Sequence, residues 1–154
     1  MAGQDEVFSY VSYIRATPDA VFEAITRPER SRQFWEHENI SDWQPGSQWR
    51  HVRDNPERPV EIVGEVIEAA SPHRLVTSWA AASQADDPAS YSRVTYEIED
   101  FGSLTRLTVT HDRLQSGSGM ATGISRGWPL VLSSLKSFLE TARGLDLAAK
   151  PKAA

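Results

Sequence analysis

The chain has 154 residues, 40% of them hydrophobic, and 16 Lys and Arg against 21 Asp and Glu give a formal charge of −5. That length suits one domain of roughly 100–150 residues plus tails, and five Trp, five Phe and four Tyr supply the bulk for a packed core, which excludes wholesale disorder. With no cysteine, a disulfide scaffold and any thiolate nucleophile or thiolate metal site are excluded as well.

Residues 1–5 read as a short tail, and Val7–Arg15 as a first strand. Thr17-Pro18-Asp19 then offers an N-cap, a proline at the first helical position and an acid in the first turn. Val21, Phe22 and Ile25 share the apolar face of that helix, and Pro28 stops it because the residue before proline avoids the helical region. A second short helix over Pro28–Trp35 follows. A short strand is expected near Asn39–Trp43 and another over Ser47–Arg53. Val60, Ile62, Gly64 and Val66 alternate with Glu61, Val63, Glu65 and Ile67, and Arg74–Ala80 reads as the next strand. Val94, Tyr96 and Ile98 alternate with Arg93, Thr95, Glu97 and Glu99, a strand wet on one side. Leu107, Val109 and His111 alternate with Arg106, Thr108 and Thr110, and Asp100-Phe101-Gly102-Ser103 between these two strands is a hairpin turn. Asn55-Pro56-Glu57-Arg58-Pro59 and Ser71-Pro72 punctuate the earlier ones.

The glycine- and serine-rich stretch Gln115–Gly119 is expected to be a mobile loop. Beyond it Ile124, Trp128, Val131, Leu132, Leu135, Phe138, Leu139 and Ala142 form a broad helical stripe with Ser133, Ser134, Lys136, Ser137, Glu140 and Thr141 opposite. Pro129 either opens this helix or kinks one that begins near Thr122. Gly144 is the expected stop, and Leu147–Ala154 is expected to fray. The order is strand, helix pair, a run of antiparallel strands, one long helix. A bent sheet with one polar face needs its other face covered, and only the last helix is large enough. Such a helix leaves a space against the sheet where a ligand fits.

No catalytic motif stands out: there is no phosphate-binding loop, no dinucleotide glycine pattern and no His-Glu-x-x-His. Gly117-x-Gly119 and Gly123 to Gly127 follow no strand-to-phosphate turn. Of the four histidines, His73 sits in an exposed turn, and His37 lies between Glu36 and Glu38, which point different ways, so no metal site is expected. His111 shares parity with Leu107 and Val109 and points to the covered face, either as a hydrogen-bonded core residue or as a ligand group. Trp49 and His51 share one strand face, Trp79 shares parity with Leu75, and Trp35 and Trp43 flank the crossing from helix to sheet. These tryptophans pack a core or line an aromatic pocket.

Several local strings, in order, carry a resemblance. Ala16-Thr17-Pro18-Asp19-Ala20-Val21-Phe22-Glu23-Ala24-Ile25 resembles the opening of the START-like, helix-grip (SRPBCC) superfamily. Pro45-Gly46-Ser47-Gln48-Trp49, Gly64-Glu65-Val66-Ile67-Glu68-Ala69, Ser71-Pro72-His73-Arg74-Leu75, Ser92-Arg93-Val94-Thr95-Tyr96-Glu97-Ile98, Leu107-Thr108-Val109-Thr110-His111-Asp112 and Gly127-Trp128-Pro129 through Leu139-Glu140-Thr141 are similar to its AHSA-type branch, named for the heat-shock protein 90 ATPase activator. The resemblance implies an α+β, START-like helix-grip domain over residues 6–144, with tails at 1–5 and 145–154. In it a curved antiparallel sheet of six or seven strands wraps around the long C-terminal helix, with two short helices after the first strand. It implies a hydrophobic cavity between sheet and helix, and it supplies no catalytic set and no cofactor. Branch members include co-chaperones, drug-resistance proteins and lipid carriers, so function follows from the site and not from the fold.

The leading expectation is non-catalytic binding of a small hydrophobic or aromatic molecule, with Phe22, Trp35, Trp49, His51, Trp79, Tyr96, His111, Trp128 and Leu132 around the cavity. Gln115–Gly127, with its four glycines, is the expected door, mobile over Ser116–Gly123. One alternative is a chaperone-regulating interaction protein that uses the acidic Glu97 and Glu99 face. The co-chaperone proper carries a further domain before this one, which disfavours that reading. Another alternative is a cyclase or hydrolase with His111 as general acid or base beside Tyr96 or Asp112, although Asp112 points to the opposite face. No nucleic acid partner is expected, because the one basic group, Arg27, Arg30 and Arg32, is interleaved with Glu29 and Glu36. No apolar run approaches the roughly 20 residues that cross a bilayer, and MAGQDEVF lacks the apolar stretch of a secretory signal. Stable membrane association is therefore not expected, and a cytoplasmic location is.

Overall fold

The computed structural model describes residues 5–152. Its elements are β1 (Asp5–Ile14), α1 (Pro18–Thr26), α2 (Pro28–Trp35), β2 (His37–Ile40), β3 (Gln48–Arg53), β4 (Val60–Ala70), β5 (Arg74–Ala81), β6 (Ser92–Asp100), β7 (Thr105–Gln115) and α3 (Gly119–Thr141). The seven strands form one antiparallel sheet in the order β1-β7-β6-β5-β4-β3-β2. A meander thus runs from β2 to β7, and β1 returns to pair with β7, which leaves β1 and β2 as the edges. The architecture is the α+β helix-grip arrangement, with the sheet curved around α3.

Local chemistry sets the first boundaries. The Thr17 hydroxyl accepts from the Ala20 N–H at 3.2 Å and Pro18 opens α1. Pro28 starts α2 with only Arg27 between it and the end of α1, and Glu36, at φ 57°, turns the chain out of α2 into the sheet. β2 therefore begins at His37, two residues before the expected strand at Asn39–Trp43, and it ends at Ile40. Trp43 leaves the sheet at φ 60°, and its indole donates to the Thr26 carbonyl at 2.8 Å.

Strand alternation sorts the two faces. Val94, Tyr96 and Ile98 on β6 and Leu107, Val109 and His111 on β7 are all buried, and the register sets Tyr96 beside Val109 and Val94 beside His111. The opposite face carries cross-strand ion pairs: Arg93 with Asp112, Arg106 with Glu99, and Arg74 with both Glu97 and Glu68. The expected acidic surface at Glu97 and Glu99 is thereby corrected, since each carboxylate already faces a guanidinium.

The last helix starts earlier than its apolar stripe suggests. The Ser118 hydroxyl accepts from the Ala121 N–H at 3.0 Å, so α3 begins at Gly119 and Pro129 lies inside it. Of the expected door, Gln115 ends β7 and Gly119–Gly127 is helix, so only residues 116–118 lie outside regular structure. A proline withholds the N–H that the carbonyl four residues earlier would accept. Here that carbonyl, Ser125 O, accepts instead from the Tyr10 hydroxyl on β1 at 3.3 Å. The helix ends on Ala142, left-handed at φ 66°, two residues before the expected glycine. Leu147, expected in a frayed tail, packs against the core.

Further along, α3 shields one end of the β1 edge. Lys136 Nζ donates to the Tyr13 carbonyl, and Glu140 accepts from the Arg15 N–H at 2.9 Å. Towards the other end, Val7 and Val11 remain 62% and 55% exposed on the outer face.

Candidate functional site

The space between sheet and α3 is filled mainly by indole rings. Trp49 comes from β3, Trp79 from β5, Trp35 from the end of α2 and Trp128 from α3, and all four are buried. Their ring centroids lie 5.4 Å apart for Trp35 and Trp128, 5.4 Å for Trp49 and Trp79, 5.9 Å for Trp79 and Trp128 and 6.3 Å for Trp35 and Trp79. Gly64 on β4 makes the Trp49–Trp79 contact possible. It lies between the two in the sheet, and a Cβ there would strike both Ser78 O and the Trp49 indole nitrogen. Without it, Trp49 Nε1 reaches across β4 to donate to Ser78 O at 2.8 Å. A glycine inside a strand marks such a close approach.

What remains unfilled is small. A cavity of about 80 Å³ is lined by Trp35, His51, Trp79, Ile124, Gly127, Trp128 and Val131. A second void of about 10 Å³, room for at most one water, touches Trp49, Thr77 and Tyr96. Trp35, His51, Trp79 and Trp128 of the expected set thus share one cavity, Trp49 and Tyr96 line the smaller void, and His111 sits behind the wall. Phe22 is half-buried on α1 and lines neither space. Leu132 is buried, but it lies about 100° around the helix from Val131 and faces other core residues. Larger clefts of about 240 Å³ beside the start of α3 and about 440 Å³ on the outer sheet face are lined mostly by polar and charged side chains.

The histidines are fixed by their partners. Trp128 Nε1–H donates to His111 Nδ1 at 3.0 Å, and an indole nitrogen can only donate. His111 Nε2 therefore carries the proton and donates to Ser92 Oγ at 2.7 Å, and Ser92 in turn donates to Trp79 O at 3.2 Å. Burial pushes His111 down to about 4, so it is neutral with both nitrogens occupied. Asp112 is paired with Arg93 on the other face, and burial raises the Tyr96 hydroxyl far above its ordinary value. None of the three forms an acid–base group with another, and His111 acts as a core residue.

His51 is held differently. Asn39 Nδ2 donates to Ile25 O at 2.8 Å, which turns Asn39 Oδ1 toward His51 Nδ1 at 2.6 Å. Burial first, then nearby His37 and Arg53, hold His51 well below the ordinary histidine range. The His37 ring stacks on it at 4.0 Å, with Nδ1 and Nε2 facing Trp35 O and Glu61 Oε1, each at 2.8 Å. Among the described residues no cluster of three or more His, Asp or Glu is placed to hold a metal ion. Also among them, no helix is long and apolar enough to cross a membrane.

Sequence reasoning left Ile124, Gly127, Val131 and Asn39 out of the site. The first and third were legible, because Ile124, Trp128 and Val131 step by four and three and share one helix face. Nothing in the string around Asn39 marks it as the residue that orients His51.

The family model described as Activator of Hsp90 ATPase homolog 1-like protein matches residues 15–140. No relative is found among curated proteins. Among solved structures the chain is similar to CalU16 from Micromonospora echinospora, at 22% identity and TM-score 0.69 over 87% of this chain and 74% of that one. It is similar to an Aha1 dimer from Colwellia psychrerythraea, at 18% identity and TM-score 0.74 over 90% and 99%. It is also similar to an HSP90 activator from Plasmodium falciparum, at 22% identity and TM-score 0.64 over 79% and 86%. At these identities the likeness is one of fold.

Proposed function

We propose, from the premise that this chain belongs to the Activator of Hsp90 ATPase homolog 1-like family, that it is a non-catalytic binding protein for a small hydrophobic or aromatic molecule. The observation that carries this reading is the cavity of about 80 Å³ under α3, walled by indole rings and aliphatic side chains. Cavities that take benzene measure about 150 Å³, so a ring-sized guest requires α3 to move outward. The half of α3 before Pro129 supplies Ile124, Gly127 and Trp128, and the proline is a point at which that half can swing. Titrating the tryptophan emission with small aromatics, alicyclics and lipids tests the reading. Saturable quenching by at least one compound, lost when Gly127→Leu fills the wall, is expected. No response from any compound overturns it.

The family name and the activator from Plasmodium falciparum favour a second reading, regulation of a chaperone ATPase. The Glu97 and Glu99 surface is neutralised by arginines and offers that reading no acidic patch. Measuring the chaperone's ATPase rate with and without this protein decides it; the binding-protein reading expects no change. A cytoplasmic location goes with the proposal and is tested by cell fractionation.

A further inference from the structure

Two residues that line the cavity each carry a polar group with no partner among the described residues. Trp79 is 4% exposed, and its Nε1–H is buried with nothing to accept it. His51, also 4% exposed, uses only Nδ1. Because Asn39 Oδ1 can only accept, Nδ1 carries the ring proton, and the Nε2 lone pair of the neutral ring is left over. One residue thus offers an unused donor and the other an unused acceptor, and both line the same 80 Å³ space.

We propose that this cavity selects small uncharged molecules that carry a hydroxyl on an apolar ring, the class of phenol. Once α3 has moved outward to admit the ring, the hydroxyl donates to His51 Nε2 and accepts from Trp79 Nε1–H, and the ring lies against Trp35, Trp128, Ile124 and Val131. This rests on the ligand-binding reading above and narrows it. A hydrocarbon guest would leave both groups unpaired, which is the situation in which polar sites discriminate most strongly. A carboxylate only accepts, so it would set a charge against the His51 lone pair with no cation in the wall. An ammonium would meet no anion there. The hydroxyl is the smallest organic group that both donates and accepts from one atom.

Fluorine NMR titration of the full chain with 4-fluorophenol, fluorobenzene and 4-fluorobenzoate separates the outcomes, together with the Trp79 indole N–H resonance followed in a nitrogen-15-labelled sample. The expected result is 4-fluorophenol bound about tenfold or more tighter than fluorobenzene, with the Trp79 resonance shifting on saturation. Trp79→Phe, which keeps an aromatic ring and removes the donor, is expected to shrink that gap while fluorobenzene still binds. If fluorobenzene binds as tightly as 4-fluorophenol, or 4-fluorobenzoate binds best, hydroxyl selection is wrong and the ligand-binding reading stands. If neither neutral compound binds and the indole resonance stays still, hydroxyl selection is wrong, and the ligand-binding reading falls with it only when the wider titration of aromatics, alicyclics and lipids is also silent.

Discussion

At Gly64 a single hydrogen atom decides whether Trp49 reaches its acceptor. Any side chain there collides with Ser78 O and the Trp49 indole, so Gly64→Ala must separate β3 from β5 or expel the indole. Overpacking costs about 1–3 kcal/mol, and an orphaned buried N–H adds about 1–3 kcal/mol. A loss of about 3 kcal/mol or more in urea unfolding is expected. Two of the buried histidines, His51 and His111, make stability depend on acidity. His111 stays neutral down to about 4 in the folded chain, whereas in the unfolded chain it takes up a proton near 6.5. Between those values the unfolded state binds more protons, so stability is fullest above about pH 6.5, declines as the pH falls toward 4, and loses no more from this group below that. The shift corresponds to about 3 kcal/mol, and His51 acts in the same direction. Urea midpoints at pH 7 and pH 4.5 check this, and His111→Gln, which still accepts from Trp128 and donates to Ser92, is expected to flatten the profile.

Among the elements, α3 shows best what a stripe of apolar residues can and cannot tell. Its spacing from Ile124 to Phe138 was legible, because burial on one face leaves a period of 3.6. Its start was not, because Gly119 and Gly123 carry no hydropathy signal and only the Ser118 cap marks the boundary. The tolerance of Pro129 was hidden for a different reason: Tyr10, which satisfies the freed carbonyl, lies 115 residues from Ser125. Tyr10→Phe is expected to cost about 1 kcal/mol and to speed hydrogen exchange in Gly119–Trp128 more than in Val131–Leu139. Gly127→Ala is expected to gain up to about 1 kcal/mol, since alanine is the better helix former and its Cβ would meet nothing within 4 Å. β2 is too short, at four residues, to show a cap or a period, and only the left-handed Glu36 sets its start two residues before the expected strand.

For the whole molecule, the run of antiparallel strands followed from alternation, whereas the pairing of β1 with β7, from opposite ends of the chain, has no short connection to mark it. The volume under α3 was not legible either. The number of tryptophans is compatible with a lined cavity and with a filled one, and which applies depends on ring packing across four elements. The outer face is a ladder of half-exposed ion pairs, each worth about 0–1 kcal/mol, so raising salt is expected to change the unfolding midpoint only slightly. The β1 edge has a different consequence. The Tyr13 carbonyl and the Arg15 N–H are occupied by α3, whereas Val7 and Val11 are exposed on a strand with no proline or lysine. An unguarded edge is where another chain can lay down a strand of its own. Conditions that loosen the fold should therefore send it toward fibres that grow from residues 7–11 and spare 13–15. Val11→Lys should delay that growth, followed by light scattering on warming, while moving the unfolding free energy by no more than about 0.5 kcal/mol.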